Sequence, residues 1–277
     1  MSVLVGYTDS DFDAFHSLDL RPDPSAFSMH LHDRYELLFF IRGDACFYVE
    51  GTAYSLEPGS LLMMQYGESH MMRILSDKPY ERICIHFHER ALSAADPSGA
   101  LLRPINDRPL GQGNLLRPGR LVGELFYAAL PNHADTRCPA RVRLTANLLA
   151  ILSTIELDCQ GNGDSISADS QSGAGQANAI AAYLNDHLGD PLTLDAVAKE
   201  FYLSKSQLSR IFKAHTGSTI GSYLMVKRLH MARRLILDGM SAASASAYCG
   251  FHDYSAFYRA YKKRFDCTPS EMKNGME

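Results

Sequence analysis

Long apolar runs are missing from this 277-residue chain. Nothing reaches the length of about eighteen apolar residues that a membrane-spanning helix needs, so no membrane association is expected. The opening Met1-Ser2-Val3-Leu4-Val5-Gly6 lacks the basic flank and long apolar stretch of a secretion signal, and a cytoplasmic protein is expected. Closely spaced cysteine pairs are missing too. The six cysteines, at 46, 84, 138, 159, 249 and 267, include no C-x-x-C, which argues against a structural zinc site or a disulfide framework and for reduced thiols. Net charge is small, -4 at pH 7. The average hides a split, because residues 1–176 carry 14 Lys+Arg against 22 Asp+Glu whereas residues 177–277 carry 13 against 9. Such asymmetry marks a basic polyanion-binding module joined to something else.

What is present is enough apolar character, 46%, to build a core in each of two domains. Six short strand-like runs fall at 36–41, 45–50, 52–56, 60–64, 70–75 and 82–87, punctuated by Arg42-Gly43-Asp44, Glu57-Pro58-Gly59 and Tyr66-Gly67-Glu68. Close spacing of that kind predicts a sandwich or small barrel. The period then changes. Leu121 and Leu125, and further on Leu144, Leu148, Ile151, Leu152 and Ile155, recur at three- and four-residue intervals and predict two amphipathic helices. The second stripe either packs within the chain or pairs with its twin in a homodimer. Residues 158–176, rich in Gly, Ser, Asp and Gln, cannot bury enough surface to fold and read as a flexible linker. The expected organisation is α+β: a barrel followed by two helices over 1–157, the linker over 158–176, and an all-α domain over 177–277.

Within that last domain Ser206-Gln207-Leu208-Ser209-Arg210-Ile211-Phe212-Lys213 and Ser255-Ala256-Phe257-Tyr258-Arg259-Ala260-Tyr261-Lys262 share Ser, apolar, Arg, aromatic and Lys at fixed offsets. Two copies of a basic helix suit two successive major-groove faces of double-stranded DNA. Thr193 and Ser204 read as N-caps of a helix-turn-helix, with Leu194, Val197 and Ala198 inward on its first helix and Leu208, Ile211 and Phe212 inward on its second. Ser206, Gln207, Ser209, Arg210 and Lys213 remain for base edges and phosphates. In the second copy Asp253 is the cap, Phe257, Tyr261 and Phe265 face inward, and Tyr254, Ser255, Tyr258, Arg259 and Lys262 face out. One helix from Ser222 to Asp238 connects them, and its Lys227, Arg228, Arg233 and Arg234 form either a solvated face or a phosphate-contacting one.

Leu208-x-Arg210-x-Phe212-Lys213, Arg228-x-x-x-Ala232-Arg233-x-Leu235-Ile236 and Cys249-Gly250-Phe251-x-Asp253-x-Ser255-x-Phe257-x-Arg259-x-Tyr261-Lys262-Lys263-x-Phe265-x-x-Thr268-Pro269-Ser270 together resemble the signature of the AraC/XylS family of transcription regulators. The resemblance spans about one hundred residues. It implies two helix-turn-helix units joined by a long helix and inserted in adjacent major grooves, with bases read by Ser206, Ser209 and Arg210 and by Tyr254, Ser255, Tyr258 and Arg259. The chain departs from the family at Ala242 and Ala245, where isoleucines are usual, at Ser246, and at Asp266 in place of a glycine. The alanines predict a thinned core in the second unit.

His30-x-His32-x-x-x-Glu36, six residues and Gly43, followed by Gly67-x-x-His70, resembles the paired motifs of cupins, with Gln65 where a proline is usual. Metal-binding cupins gather three histidines and a glutamate on one ion. The same pattern occurs in the sensor barrels attached to AraC-type regulators, where the cavity usually takes a small effector. His30, His32, Glu36 and His70 are therefore effector-pocket candidates, with a metal site and a purely structural role as alternatives. His86 and His88 are expected to be exposed or hydrogen-bonded strand histidines.

The resemblance thus implies a cytoplasmic, non-enzymatic DNA-binding regulator, an activator by family habit. It would be controlled by a small molecule such as a sugar, would need no cofactor, would form a homodimer and would meet RNA polymerase. A metal-dependent cupin enzyme or metal sensor tethered to DNA is the alternative.

Overall fold

The computed structural model describes residues 2–23, 27, 29–131, 138–161 and 174–274. The chain divides into two compact units, Met1–Ala174 and Gly175–Glu277. No helix among the described residues is long and apolar enough to cross a membrane.

The described residues of the N-terminal unit form nine strands: β1 (Ser2–Thr8), β2 (Phe12–Asp19), β3 (Tyr35–Arg42), β4 (Ala45–Val49), β5 (Thr52–Ser55), β6 (Leu61–Met64), β7 (His70–Ile74), β8 (Tyr80–Phe87) and β9 (Leu115–Leu116). They form a six-stranded sheet in the order β1-β2-β8-β3-β6-β9 and a three-stranded sheet in the order β5-β4-β7, with antiparallel pairings throughout. Its described residues also form α1 (Arg103–Asn106) between β8 and β9, then α2 (Arg120–Ala129) and α3 (Ala140–Gly161).

The central strands explain how one short run serves two layers. In β3, Tyr35, Leu37 and Phe39 enter the core shared with α2 and α3, whereas Leu38 and Phe40 enter the core between the two sheets. In β8, Ile83, Ile85 and Phe87 join the first core and Cys84 the second. Successive side chains point to opposite faces, so a strand covered on both sides reads as a continuous apolar run. Any polar residue on the inter-sheet face is then held inside the barrel. That face carries Glu36, Arg82 and His86.

The stripe Leu144, Leu148, Ile151, Leu152 and Ile155 is buried within the same chain, in the core over the six-stranded sheet. On α2 the inward residues are Val122, Phe126 and Ala129; Leu121 is 56% exposed, a correction of one position in the helical phase. The hairpin β1–β2 has no counterpart among the strands expected from the sequence. β1 is mostly exposed and held by its ladder to β2 rather than by burial, so its apolar pattern is weak. Arg141 at the start of α3 clamps the hairpin's turn by pairing with Asp9 and Asp11. The expected linker, 158–176, is helical at both edges, to Gly161 and from Ala174; its residues 162–173 lie outside the described residues.

The C-terminal unit contains α4 (Ala174–Asp186), α5 (Leu194–Glu200), α6 (Lys205–Thr216), α7 (Ile220–Leu237), α8 (Ala242–Tyr248), α9 (Tyr254–Phe265) and α10 (Pro269–Asn274). Its second half has a core of Leu229, Ala232, Ile236, Ala245, Cys249, Phe257 and Tyr261. The thinned core expected there takes another form. Ala245 is wholly buried, and aromatic rings supply the volume: Phe251 to Phe257, Phe257 to Tyr261 and Tyr261 to Phe265 lie 5.1, 5.4 and 4.7 Å apart.

Candidate nucleic-acid interface and ligand pocket

Four helices of the C-terminal unit, α5, α6, α8 and α9, each start on a side chain that accepts a backbone N–H. Thr193 caps α5 by accepting from Ala196 at 3.1 Å, Ser204 caps α6, Ser241 caps α8, and Asp253 caps α9 by accepting from Ser255 at 2.8 Å. Such caps fix where a helix begins and so which residues lead into a groove. The turn between α5 and α6 places Tyr202 at φ 54°, 97% exposed. α6 ends on Gly217 at φ 69°, and α9 ends on Asp266 at φ 54°. The position where the family has glycine is thus left-handed here, a conformation Asp tolerates better than most residues.

Val197 and Ala198 on α5, Leu208 and Phe212 on α6, and Phe257 and Tyr261 on α9 are buried, as the pattern predicts. Leu194 is not: it is 43% exposed at the first position of α5. Ile211 and Phe265 are half-buried. Ser206, Gln207, Ser209, Arg210 and Lys213 on α6, and Tyr254, Ser255, Tyr258, Arg259 and Lys262 on α9, are all exposed. Gln207 is committed locally, because its Oε1 accepts from the Ser204 backbone N–H at 3.0 Å in a capping box.

The connecting helix differs most from its sequence reading. α7 has eighteen residues, about 27 Å at 1.5 Å each, but its cations do not form one face. Lys227 is buried over the Tyr223 ring, and Arg233 lies 4.9 Å from the centre of the Phe265 ring. Arg228 donates to the carbonyls of Leu188 at 2.7 Å, Asp190 at 2.7 Å and Gly250 at 3.1 Å. It ties the α4–α5 connection to the turn between α8 and α9. Gly250 is required at that junction, since its φ is 77° and a Cβ would stand 2.9 Å from the Gly189 carbonyl oxygen and 3.0 Å from the guanidinium. Only Arg234 is exposed to solvent.

In the N-terminal unit a cavity of about 170 Å³ lies between the sheets, lined by rings and aliphatic groups together with His30, His32, Glu36, His70, Arg82 and His86. The four residues singled out from the sequence all line it. His30 and His32 precede β3 on a segment held by a bridge from His30 to His70 and by the Gly67 N–H donating to the His32 carbonyl, and their rings lie 4.9 Å apart on one side.

His86, expected to be exposed or hydrogen-bonded, is hydrogen-bonded through Nδ1 to the Asp13 carbonyl and in addition lines the cavity, which the sequence reading did not give. It pairs directly with Glu36 across β3 and β8, is buried, and stands with Nε2 3.4 Å from Glu36 Oε2. The same oxygen lies 3.1 Å from His70 Nε2 and 3.3 Å from His32 Nε2. Arg82, two residues before Cys84 on the same strand face, was also missed; its guanidinium lies 5.0 Å from the Tyr80 ring centre and 5.5 Å from that of Phe27. The available signal was parity: in 82–87 the odd positions are Ile, Ile and Phe, so Arg82, Cys84 and His86 must share the other face.

Burial opposes ionisation of Glu36, but the facing His86 and His70 override it and hold its carboxyl well below the usual range. Burial likewise opposes protonation of His86, and attraction to Glu36 reverses that, raising its pKa. At His32 burial wins and the pKa is lowered.

A second buried carboxylate supports the site from behind. Glu68, inaccessible to solvent, accepts both ends of the Arg108 guanidinium at 2.7 Å and the N–H groups of Gly111 at 2.8 Å and Gln65 at 2.9 Å. That network fixes the loop from which His70 enters the cavity.

The two units therefore define a protein that reads DNA with helix-turn-helix elements and carries a separate ligand-binding domain. Family models agree: one for a helix-turn-helix domain matches residues 197–275, and one for an AraC-like ligand binding domain matches residues 18–126. The chain belongs to the AraC/XylS family, whose members regulate transcription and are not enzymes. It is similar to the HTH-type transcriptional activator RhaS of Escherichia coli O139:H28, 22% identical over 280 residues covering 95% of this chain and 97% of that one. RhaS of Escherichia fergusonii is 22% identical over 267 residues, covering 94% and 92%. Among solved structures, ToxT from Vibrio cholerae is 13% identical with a TM-score of 0.41, covering 95% of this chain and 97% of that one.

Proposed function

We propose that the chain is a cytoplasmic transcriptional activator whose N-terminal barrel binds a small effector, a sugar or related carbon compound, and whose C-terminal unit binds double-stranded DNA as part of a homodimer that meets RNA polymerase. Residues 1–157 sense, 158–176 link and 177–277 read. Arg210 and Arg259 address guanines, Ser206, Ser209, Tyr254, Ser255 and Tyr258 address neighbouring edges, and Lys213 and Lys262 hold phosphates. Gln207 contributes by capping α6 rather than by reading bases. His30, His32, Glu36 and His70, joined by His86 and Arg82, contact the effector.

The observation that carries this reading is a cavity with converging polar side chains, in one chain with two exposed reading helices. An effector changes promoter occupancy only by its differential affinity for the two states of the protein. Thermal-shift screening of the full chain with small carbon compounds tests the proposal, because a ligand at a hundred times its Kd stabilises the fold by about 2.7 kcal/mol. A hit should change affinity for a selected operator, with both effects lost in Arg82→Ala. Hits that leave operator affinity untouched would refute effector control.

A further inference from the structure

Beyond Glu36 the cavity wall carries a second polar group, and it is made of donors. Glu36 faces His86 across the β3–β8 ladder whereas Phe40 faces Arg82, four residues and about 13 Å along the strand. Three rings surround the Arg82 guanidinium, with centres 5.0 Å away at Tyr80, 5.5 Å at Phe27 and 5.9 Å at Phe15. Ring faces attract the charge but offer its N–H groups no oxygen.

Two buried hydroxyls accompany it. Tyr80 lines the cavity and is 1% exposed, and its Oη meets no hydrogen-bond partner among the described residues. Ser17 stands directly opposite Arg82 in the β2–β8 ladder; it is as deeply buried, and its Oγ meets none either. Paired residues share a sheet face, as do residues two apart, so both hydroxyls lie on the face of Arg82. Burial pushes the Tyr80 hydroxyl above its ordinary pKa, so it keeps its proton and donates. A buried hydroxyl left without a partner is costly. Among the described residues that line the cavity Glu36 is the only carboxylate, and three histidines hold it at 3.1 to 3.4 Å.

We propose that the effector is a small organic acid whose carboxylate is held by the Arg82 guanidinium together with the hydroxyls of Tyr80 and Ser17. Carboxylate oxygens only accept, a guanidinium only donates, and each hydroxyl has one hydrogen to give, so the set is complementary. A planar carboxylate fits the guanidinium fork as the hydroxyl of a neutral sugar does not. A phosphate, at about -1.5 to -2, carries more charge than one arginine offsets. Phe15, Leu38, Phe47 and Met72 leave an apolar wall for the body of the acid. The volume of 170 Å³, about six waters at about 30 Å³ each, keeps that body compact. This inference rests on the reading of the barrel as the sensor, and narrows its effector to acids.

Calorimetric titration of the full chain at constant ionic strength tests it, with each acid set beside a neutral twin. The pairs are acetate and acetamide, butyrate and butyramide, phenylacetate and phenylacetamide, and galacturonate and galactose. At least one acid should bind about ten- to hundredfold more tightly than its twin, the range of a hydrogen bond to a charged group. Arg82→Met should abolish that preference. Tyr80→Phe and Ser17→Ala, which each remove one hydroxyl and little volume, should weaken the acid; melting curves without ligand show which variants fold. Twins bound equally, or no acid bound by the wild-type chain at tens of millimolar, would overturn the proposal. So would an acid preference undiminished in the folded variants. Galactose that binds better than galacturonate and shifts operator affinity would overturn the acid class and leave effector control standing. An acid bound through Arg82 with operator affinity unchanged would uphold the site and remove it from regulation.

Discussion

Arg228→Ala separates a structural arginine from a DNA-contacting one. In the structure its guanidinium holds three backbone carbonyls, of Leu188, Asp190 and Gly250, that belong to separate turns. Hydrogen bonds to a charged group contribute about 1.5–3 kcal/mol each. The side chain is half-buried, and the carbonyls regain water when it is removed, so the three do not add fully; a loss of about 2–4 kcal/mol is expected. For a unit of this size each kcal/mol corresponds to about 4–8 °C, so the transition should fall by at least about 8 °C. Calorimetry of the full chain resolves it as the transition that rises when operator DNA is added. The second measurement is the salt dependence of operator binding. Each phosphate contact contributes about 0.9 to the slope of log K against log salt. Arg228→Ala should leave that slope unchanged, whereas Lys213→Ala should reduce it. A slope reduced by about 0.9 with an unchanged transition would show Arg228 to be a phosphate contact.

Two further outcomes follow from the N-terminal unit. Arg108→Ala strips the buried Glu68 of its bidentate partner, and removing one member of such a pair costs about 3–5 kcal/mol; a fall in melting temperature of under about 2 °C would contradict the network described. Asp9 accepts from the N–H groups of Asp11 and Phe12, both at 2.8 Å, and from Tyr7 and Arg141, and despite burial its pKa is lowered to about 2 from 3.8. Its stabilising contribution is complete above the unfolded value and is lost as pH falls from about 4 to about 2. Urea titrations should show that loss in the wild type and a smaller one in Asp9→Asn; equal acid sensitivity would count against it.

The sequence made the barrel legible wherever strands are bounded by strong turns, as at Arg42-Gly43-Asp44 and Glu57-Pro58-Gly59, because a run covered on both faces stays apolar throughout. β1 escaped because an exposed edge strand needs no apolar pattern, only a ladder and the Arg141 clamp, and β2 because its buried Phe12 and Ala14 alternate with polar residues and two of its buried positions are Ser17 and Asp19. In the C-terminal unit caps and stripes were readable because they are local. Arg228 was not, since its partners lie 22 to 40 positions away and are backbone atoms, which no side-chain pattern announces. The pocket shows the same division. His30, His32, Glu36 and His70 stood out through spacing, while His86 and Arg82 joined them through the register of β3 on β8.

The most direct test of the account is footprinting with dimethyl sulfate, which methylates guanine N7 in the major groove, of the full chain on an operator selected from random DNA. For each protomer, protection should fall on two major-groove segments one helical turn, about 10 base pairs, apart. Arg210→Ala should lift the first and Arg259→Ala the second. Protection of a single segment, or two segments both lost in either variant while the other arginine is intact, would contradict a pair of independent reading helices.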